Sequence, residues 1–347
     1  MIRRLLALSA TALALSTALD ARAQSDLTLN LYSARHYQTD EALYDNFTKA
    51  TGIRIQRIDA DDAGILARLK TEGAASPADV ILLVDAARLW RAEVDGLFQP
   101  VKSKVLASRV PAALRGKDDG EGSQWFGFST RARVVAYNRD SVKAQDVDTY
   151  EKLADTRNKG KLCVRSGSHP YNLSLFGSML EHLGPAATEA WLTGLVANMA
   201  RTPKGGDTDQ IRGVASGECG FALTNTYYLA RIMRSDKPED KAAMNKIGVV
   251  FPNQATFGTH VNIAGGGVAR HAKHRDAAVK FLEYLASDAA QVYFADGNNE
   301  WPAVASVRVT NPALQTLGSF KRETIPAAVV GLNQVKVQQM LDRVGFK

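Results

Sequence analysis

Beyond its first two dozen residues the chain nowhere approaches the run of about 18 apolar residues that a membrane-spanning helix needs, so no span is expected in the mature protein. No G-x-S-x-G, H-E-x-x-H or C-x-x-C motif, Walker loop or glycine-rich dinucleotide fingerprint is present, which weakens any enzymatic reading. "GGDTDQIRG" (205–213) lacks the fingerprint spacing and a preceding strand, and "GGG" at 265–267 reads as a flexible turn with no lysine after it. Lysine and arginine form no cluster or basic helix face, so nucleic acid is not an expected partner. Cysteine is limited to Cys163 in "KLCVRS" and Cys219 in "GECGFAL", both strand-like segments. In an oxidising compartment a bridge between neighbouring strands is favoured over two buried free thiols.

The first 23 residues read as an export signal. Arg3 and Arg4 open it, "LLALSATALALSTAL" is its apolar stretch, and Ala21–Ala23 has the small-x-small form of a cleavage site. No cysteine stands there to take a lipid. A mature chain beginning near Gln24, soluble and periplasmic, is expected. Three arginines and one aspartate lie in the leader, so the formal charge falls from +7 to +5 on cleavage. The remaining 324 or so residues exceed what one hydrophobic core usually supports, and two domains are expected.

Strand and helix patterns alternate along the mature chain, which indicates α/β architecture. "LTLNLYS" (27–33) reads as a strand. "TDEALYDNFTKATG" reads as an amphipathic helix with Thr39 as N-cap, Asp40 and Glu41 in the first turn, Leu43 and Phe47 on its apolar face, and Gly52 as its stop. "IRIQRID", "AGILARLKTEG" and "ADVILLVD" continue as strand, helix and buried strand, a doubly wound lobe. In the second half "WFGFSTRARVVAYNRD" is strand material able to cross between lobes, and "GKLCVRS" and "CGFALTN" are strands. "IGVVFPNQATFGTHVNIAGGGVARHA" returns as extended segments to the first lobe. The expected division is an N-terminal lobe of 24–127 plus 258–303 and a C-terminal lobe of 128–257 plus 304–347. Such a pair of lobes encloses a cleft that opens and closes.

Tyrosine is the polar residue that recurs where strands give way to helices. Tyr37 follows "YSARH", Tyr171 sits in "SGSHPYN", and Tyr227 and Tyr228 follow "CGFALTN". Adjacent tyrosines at a helix start diverge by about 100° and cannot both enter one core. The junctions place all four on the cleft rims, and buried phenols need a use or a partner. Phenolate is a hard anionic donor suited to ferric iron rather than to zinc or copper(I), and it forms at neutral pH only beside a positive charge. Taken singly, each tyrosine is more often a half-buried packing residue; together they point to a metal or anion site, and the pattern alone goes no further.

"YSARHYQTD", "VRSGSHPYNLSL" and "TNTYYLAR" resemble the corresponding motifs of the periplasmic ferric-iron-binding proteins of ABC transporters, in the branch with a His-Tyr pair near the N-terminus that includes cyanobacterial and Campylobacter-type members. The resemblance runs in order over the whole mature chain. It implies a two-lobed type II periplasmic-binding fold with iron in the interlobe cleft, Tyr37, Tyr171, Tyr227 and Tyr228 as ligands, and His36 as a histidine that ligates in some members and swings away in others. Water, a synergistic anion such as carbonate, or a side chain would complete the shell. Ferric iron is expected, with ferrous iron open to a site from which His36 or a tyrosine withdraws. The implied partners are a permease and an ATPase of the inner membrane, and the implied state is a monomer.

His169 and Pro170 stand where the family motifs often carry asparagine-like residues, and His169 is expected to be a loop residue rather than a partner of the site. Arg231, three residues after Tyr228 on the same helical face, is the leading candidate for balancing the phenolate charge or holding an anion, ahead of Arg35 and Arg131; a solvated arginine is the alternative at each. Two other readings stay open: the same fold taking an organic or oxyanion solute, and an exported enzyme.

Overall fold

The computed structural model describes residues 27–35 and 37–347. The expected leader and His36 lie outside the described residues. Among the described residues nine strands form one curled sheet of order Arg54–Asp59, Thr28–Ser33, Val80–Leu83, Val261–Val268, Phe126–Asn138, Phe221–Asn225 and Leu162–Cys163, with Ile247–Val250 and Trp301–Pro302 both paired to Phe126–Asn138.

The first lobe opens with β1 (Thr28–Ser33), α1 (Asp40–Thr51), β2 (Arg54–Asp59), α2 (Asp62–Glu72), β3 (Val80–Leu83), α3 (Ala86–Val94) and α4 (Lys104–Arg109). β1 runs parallel to β2 and β3, which is why helices cover both faces. Alternation along β3 then feeds two cores: Val80 and Leu82 join Leu31, Phe47, Phe126 and Phe281 on one side, while Ile81 and Leu83 join Tyr32, Ile65, Leu89 and Trp125 on the other. Gly52 ends α1 in the left-handed conformation at φ 75°, as glycine permits. Thr39 precedes α1 but makes no capping bond, contrary to expectation; its hydroxyl donates instead to Asn298 Oδ1.

β4 (Phe126–Asn138) joins the two halves. Its first part, to Ala132, pairs with β8, and its second, from Arg133, pairs with β6 and β7. The second lobe follows as β5 (Leu162–Cys163), α5 (Pro170–Leu183), α6 (Pro185–Ala197), α7 (Asp207–Ser216), β6 (Phe221–Asn225), α8 (Thr226–Met233), α9 (Pro238–Lys246) and β7 (Ile247–Val250). It too is filled on both sheet faces, by Val135, Phe221 and Leu223 with Phe176 and Leu192, and by Val134, Ala136 and Ala222 with Ile211 and Leu229. Cys163 and Cys219 are joined in a disulfide with Cα atoms 5.7 Å apart.

β8 (Val261–Val268) returns between β3 and β4, followed by α10 (Arg275–Leu285), α11 (Asp288–Asp296), β9 (Trp301–Pro302), α12 (Pro312–Leu317) and α13 (Ala327–Val344). Gly265–Gly267 are not a turn: they lie in β8 between two paired strands. A Cβ on any of them would overlap a carbonyl oxygen, of Phe126, Ile81 and Gln124 respectively, so glycine serves close backbone approach here. α13 packs against α5 of the second lobe and α3 of the first.

Candidate metal centre

Each of the four tyrosines stands at a strand-to-helix junction. Tyr37 lies between β1 and α1, Tyr171 is the second residue of α5, and Tyr227 and Tyr228 are the second and third residues of α8. The last three therefore sit in the first turn of a helix, where the positive end of the macrodipole favours an anion. His169 caps α5, its Nδ1 accepting the Tyr171 amide at 3.2 Å, and its ring stands edge-on to Tyr171 with centroids 4.5 Å apart. His169 stands in the loop before α5, as expected, and, because Pro170 carries no N–H, the imidazole accepts the next amide, that of Tyr171.

The chain brings the phenols together across the cleft. The Tyr171 and Tyr227 hydroxyls are 3.2 Å apart. The Tyr37 ring meets Tyr227 edge-on at 5.5 Å, and Tyr228 lies against Tyr227 at 4.1 Å. Neighbouring ligands on a small octahedral ion with bonds of about 2.05 Å stand about 2.9 Å apart, so the Tyr171–Tyr227 pair is spaced within a few tenths of an ångström for one ion. Among the described residues no three His, Cys, Asp or Glu side chains form a metal-binding group; phenols dominate the donor set.

Glu300, fully buried, joins the candidate site without having been singled out in the sequence. Its Oε1 accepts the Tyr37 hydroxyl at 2.9 Å and its Oε2 accepts Ser129 Oγ at 2.7 Å. Arg35 Nη2 stands 3.7 Å and Arg131 Nη1 4.0 Å from this carboxylate. No sequence signal marks Glu300, which follows two asparagines in a loop after α11.

The arginines sort differently from expectation. Arg231 lies over the Tyr228 ring at 5.3 Å, but it is exposed and donates to Thr208 Oγ1 at 2.8 Å. Arg35 is held by Asp40 at 2.5 and 3.1 Å and covers the Tyr37 ring at 4.8 Å. Arg131 is 1 % exposed and lies 5.4 Å over the Tyr171 ring, yet none of its three guanidinium nitrogens has a hydrogen-bond partner among the described residues. A buried cation with idle donors is costly.

Burial favours the protonated form of Tyr37, Tyr171 and Tyr227. Burial pushes the Tyr37 and Tyr227 pKa values well above the ordinary value near 10; Glu300 and Tyr171 add to the rise at Tyr37, and Tyr171 and Tyr37 add to it at Tyr227. Tyr171 is also raised by burial, with Arg131 opposing. At Arg131 burial disfavours the charge, but Glu300 and the tyrosines outweigh it and hold the pKa above its usual value. The cleft in front of these groups encloses about 720 Å³ and is lined by Arg35, Tyr37, Arg88, Arg165, Tyr171 and Tyr228 among others. That is the size of a small-molecule site, more than a bare ion fills.

The two-lobed fold with a ligand cleft between the lobes is that of a solute-binding protein, and the chain belongs to the bacterial extracellular solute-binding protein family, whose model matches residues 42–320. Iron uptake protein A1 of Synechocystis sp. is 46 % identical over 319 residues, covering 92 % of this chain and 87 % of that protein. The Trichodesmium protein IdiA (FutA), solved in complex with iron and citrate, is similar at TM-score 0.85 and 48 % identity over 92 % of this chain and all of the other. The ferric binding protein from Campylobacter jejuni is similar at TM-score 0.86 and 38 % identity, with the same coverage.

Proposed function

We propose that this protein captures ferric iron in the interlobe cleft through the phenolates of Tyr37, Tyr171, Tyr227 and Tyr228 and delivers it, in the periplasm, to a permease driven by a cytoplasmic ATPase. The observation that carries this reading is the 3.2 Å approach of the Tyr171 and Tyr227 hydroxyls with Tyr37 of the other lobe against the same ring. The printed names of the relatives, iron uptake protein and ferric binding protein, support it. His36 is a further candidate ligand. The lobes divide near residues 128, 258 and 304, and the closed form alone presents both half-sites to one ion.

Ferric iron is preferred over ferrous because hard phenolates need a highly charged partner to lose their protons. Arg131, rather than Arg231, receives the accompanying anion: its donors are idle and it faces Tyr171. Carbonate or a small carboxylate suits a guanidinium fork; the Trichodesmium relative was solved in complex with iron and citrate ligands. No step here requires turnover, so the protein acts as a binding protein, as a monomer. Titration with ferric iron followed in the visible range and by Tm tests the reading: a phenolate-to-iron charge-transfer band and a ligand-dependent rise in Tm are expected.

A further inference from the structure

Behind the phenols lies a buried layer that none of the tyrosines enters. Arg133, next on β4 to face the same way as Arg131, donates through Nη1 to Asp207 Oδ2 at 2.5 Å and to Asn225 Oδ1 at 3.3 Å, and through Nη2 to Asn172 Oδ1 at 2.8 Å. Asp207 Oδ2 also accepts the Asn225 amide at 2.7 Å, and its Oδ1 accepts Arg165 Nη1 at 3.3 Å. All four of Arg133, Asp207, Asn172 and Asn225 are buried.

The placement of the two asparagines gives this layer its meaning. Asn172 follows Tyr171 directly, and Asn225 immediately precedes α8, two residues before Tyr227. An asparagine at an N-cap normally accepts an amide of its own helix, but Asn225 makes no such bond and turns its oxygen to Arg133. Asn172 Nδ2 holds the carbonyls of Arg165 and Ser166 at 3.1 and 3.0 Å, fixing the loop that enters α5. One rigid guanidinium fork on the central strand thereby ties together the starts of both tyrosine-bearing helices. A buried charge network is weak evidence for stability in itself; what this one adds is a fixed relation between two helix starts.

We propose that Arg133, with Asp207, Asn172 and Asn225, is the positioning unit of the site, setting the separation of the Tyr171 and Tyr227 oxygens to that of two neighbouring ligands on one ion. This rests on the proposed iron site. The residues do not touch the ion and act by orienting the ligands, as outer partners do at metal centres, where their loss typically costs about 10–100-fold in affinity.

The test uses the mature protein with ferric iron alone, in wild type, Arg133→Lys and Asn172→Ala. Lysine keeps a charge for Asp207 but offers a single head in place of a fork; Asn172→Ala removes the arm to α5 together with its bonds to the Arg165 and Ser166 carbonyls, and serves if the lysine variant does not fold. Both variants are expected to bind about 10–100-fold more weakly and to shift the charge-transfer maximum, a property that loss of global stability leaves alone. Affinity and band position unchanged in a folded variant, with only Tm lowered, overturns the positioning role. A wild-type protein that gives no band overturns the iron reading itself, and this inference with it.

Discussion

The hydroxyls of Tyr171 and Tyr227 lie 3.2 Å apart although the residues are 56 positions apart in the chain. They meet because α5 and α8 begin at the same edge of the second lobe, each at the end of a strand, and β5 and β6 are paired in parallel. Two phenols held at this distance in a buried site repel one another as anions and would cooperate around a cation, so on the proposed iron site the pair would exchange protons for metal.

The pH dependence follows in sign. Tyr37, Tyr171 and Tyr227 all have raised pKa values from burial, so each enters metal binding as a neutral phenol and must release its proton. Affinity for ferric iron is expected to fall as pH falls, by up to about tenfold per pH unit for each phenolate formed. Metal-free protein shows the opposite limit: its raised phenols stabilise the fold below the unfolded pKa of about 10 and lose that contribution as pH rises above it. Titrations at pH 6 and 8, with proton release counted in buffers of different ionisation enthalpy, check the first; alkaline melting of the metal-free and loaded forms checks the second.

Arg131 and Arg231 are expected to behave oppositely. Arg131→Met removes a buried cation 4.0 Å from the buried Glu300 carboxylate and leaves that charge less compensated, so the metal-free protein should be less stable by up to about 3–5 kcal/mol. It should also abolish any effect of carbonate or citrate on the iron band. Arg231→Ala, at an exposed site, should alter stability by no more than the roughly 0.5 kcal/mol of ordinary surface changes and leave the anion effect intact. Difference spectra with and without added anion distinguish the two.

Closure has a specific bond to test. Ser174, one turn into α5 beyond Tyr171, donates to Asp85 Oδ2 of the first lobe at 2.6 Å in a buried contact. Asn262 Nδ2 donates to the same oxygen at 2.6 Å, and Asp85 Oδ1 caps α3. A bond to a charged acceptor is worth about 1.5–3 kcal/mol. Ser174→Ala is expected to shift the lobes toward the open form and weaken iron binding by about 10–100-fold on that figure, with the visible band of the loaded protein unmoved. Solution scattering of the loaded and metal-free variant reads the lobe separation directly.

The disulfide closes a sequence separation of 56 residues across the strands that lead to Tyr171 and Tyr227. Its removal in Cys163→Ala/Cys219→Ala should cost about 2–5 kcal/mol, the usual range for a native bridge. Thiol titration of the denatured, unreduced protein should find no free thiol, and the double variant should melt lower by several degrees.

The tyrosines were legible in the sequence because each stands at a strand-to-helix junction, where the change of period from 2 to 3.6 fixes which sheet edge the residue occupies. The crossing strand was legible for the same reason. Arg131 stood out in the sequence only as a weaker candidate and Arg133 not at all: a residue pattern along the crossing strand does not show which face α5, α7 and α8 cover, and it is that packing that buries both arginines. Glu300 reaches Tyr37 across 263 positions, a distance no local pattern spans. Gly265–Gly267 misled for a physical reason, since glycine freedom in a turn and glycine thinness between two strands leave the same letters.

The most direct test of the account is ferric titration of the mature wild-type protein beside its Tyr171→Phe and Tyr227→Phe variants, read in the visible range with Tm recorded for each. One ion per chain, a phenolate-to-iron band in wild type, and in each variant a shifted or lost band with an affinity loss beyond the roughly 100-fold of an outer-partner change are expected. A wild-type protein that takes up ferric iron without a visible band or a rise in Tm, or variants that bind it unchanged, would contradict a tyrosine-held ferric centre.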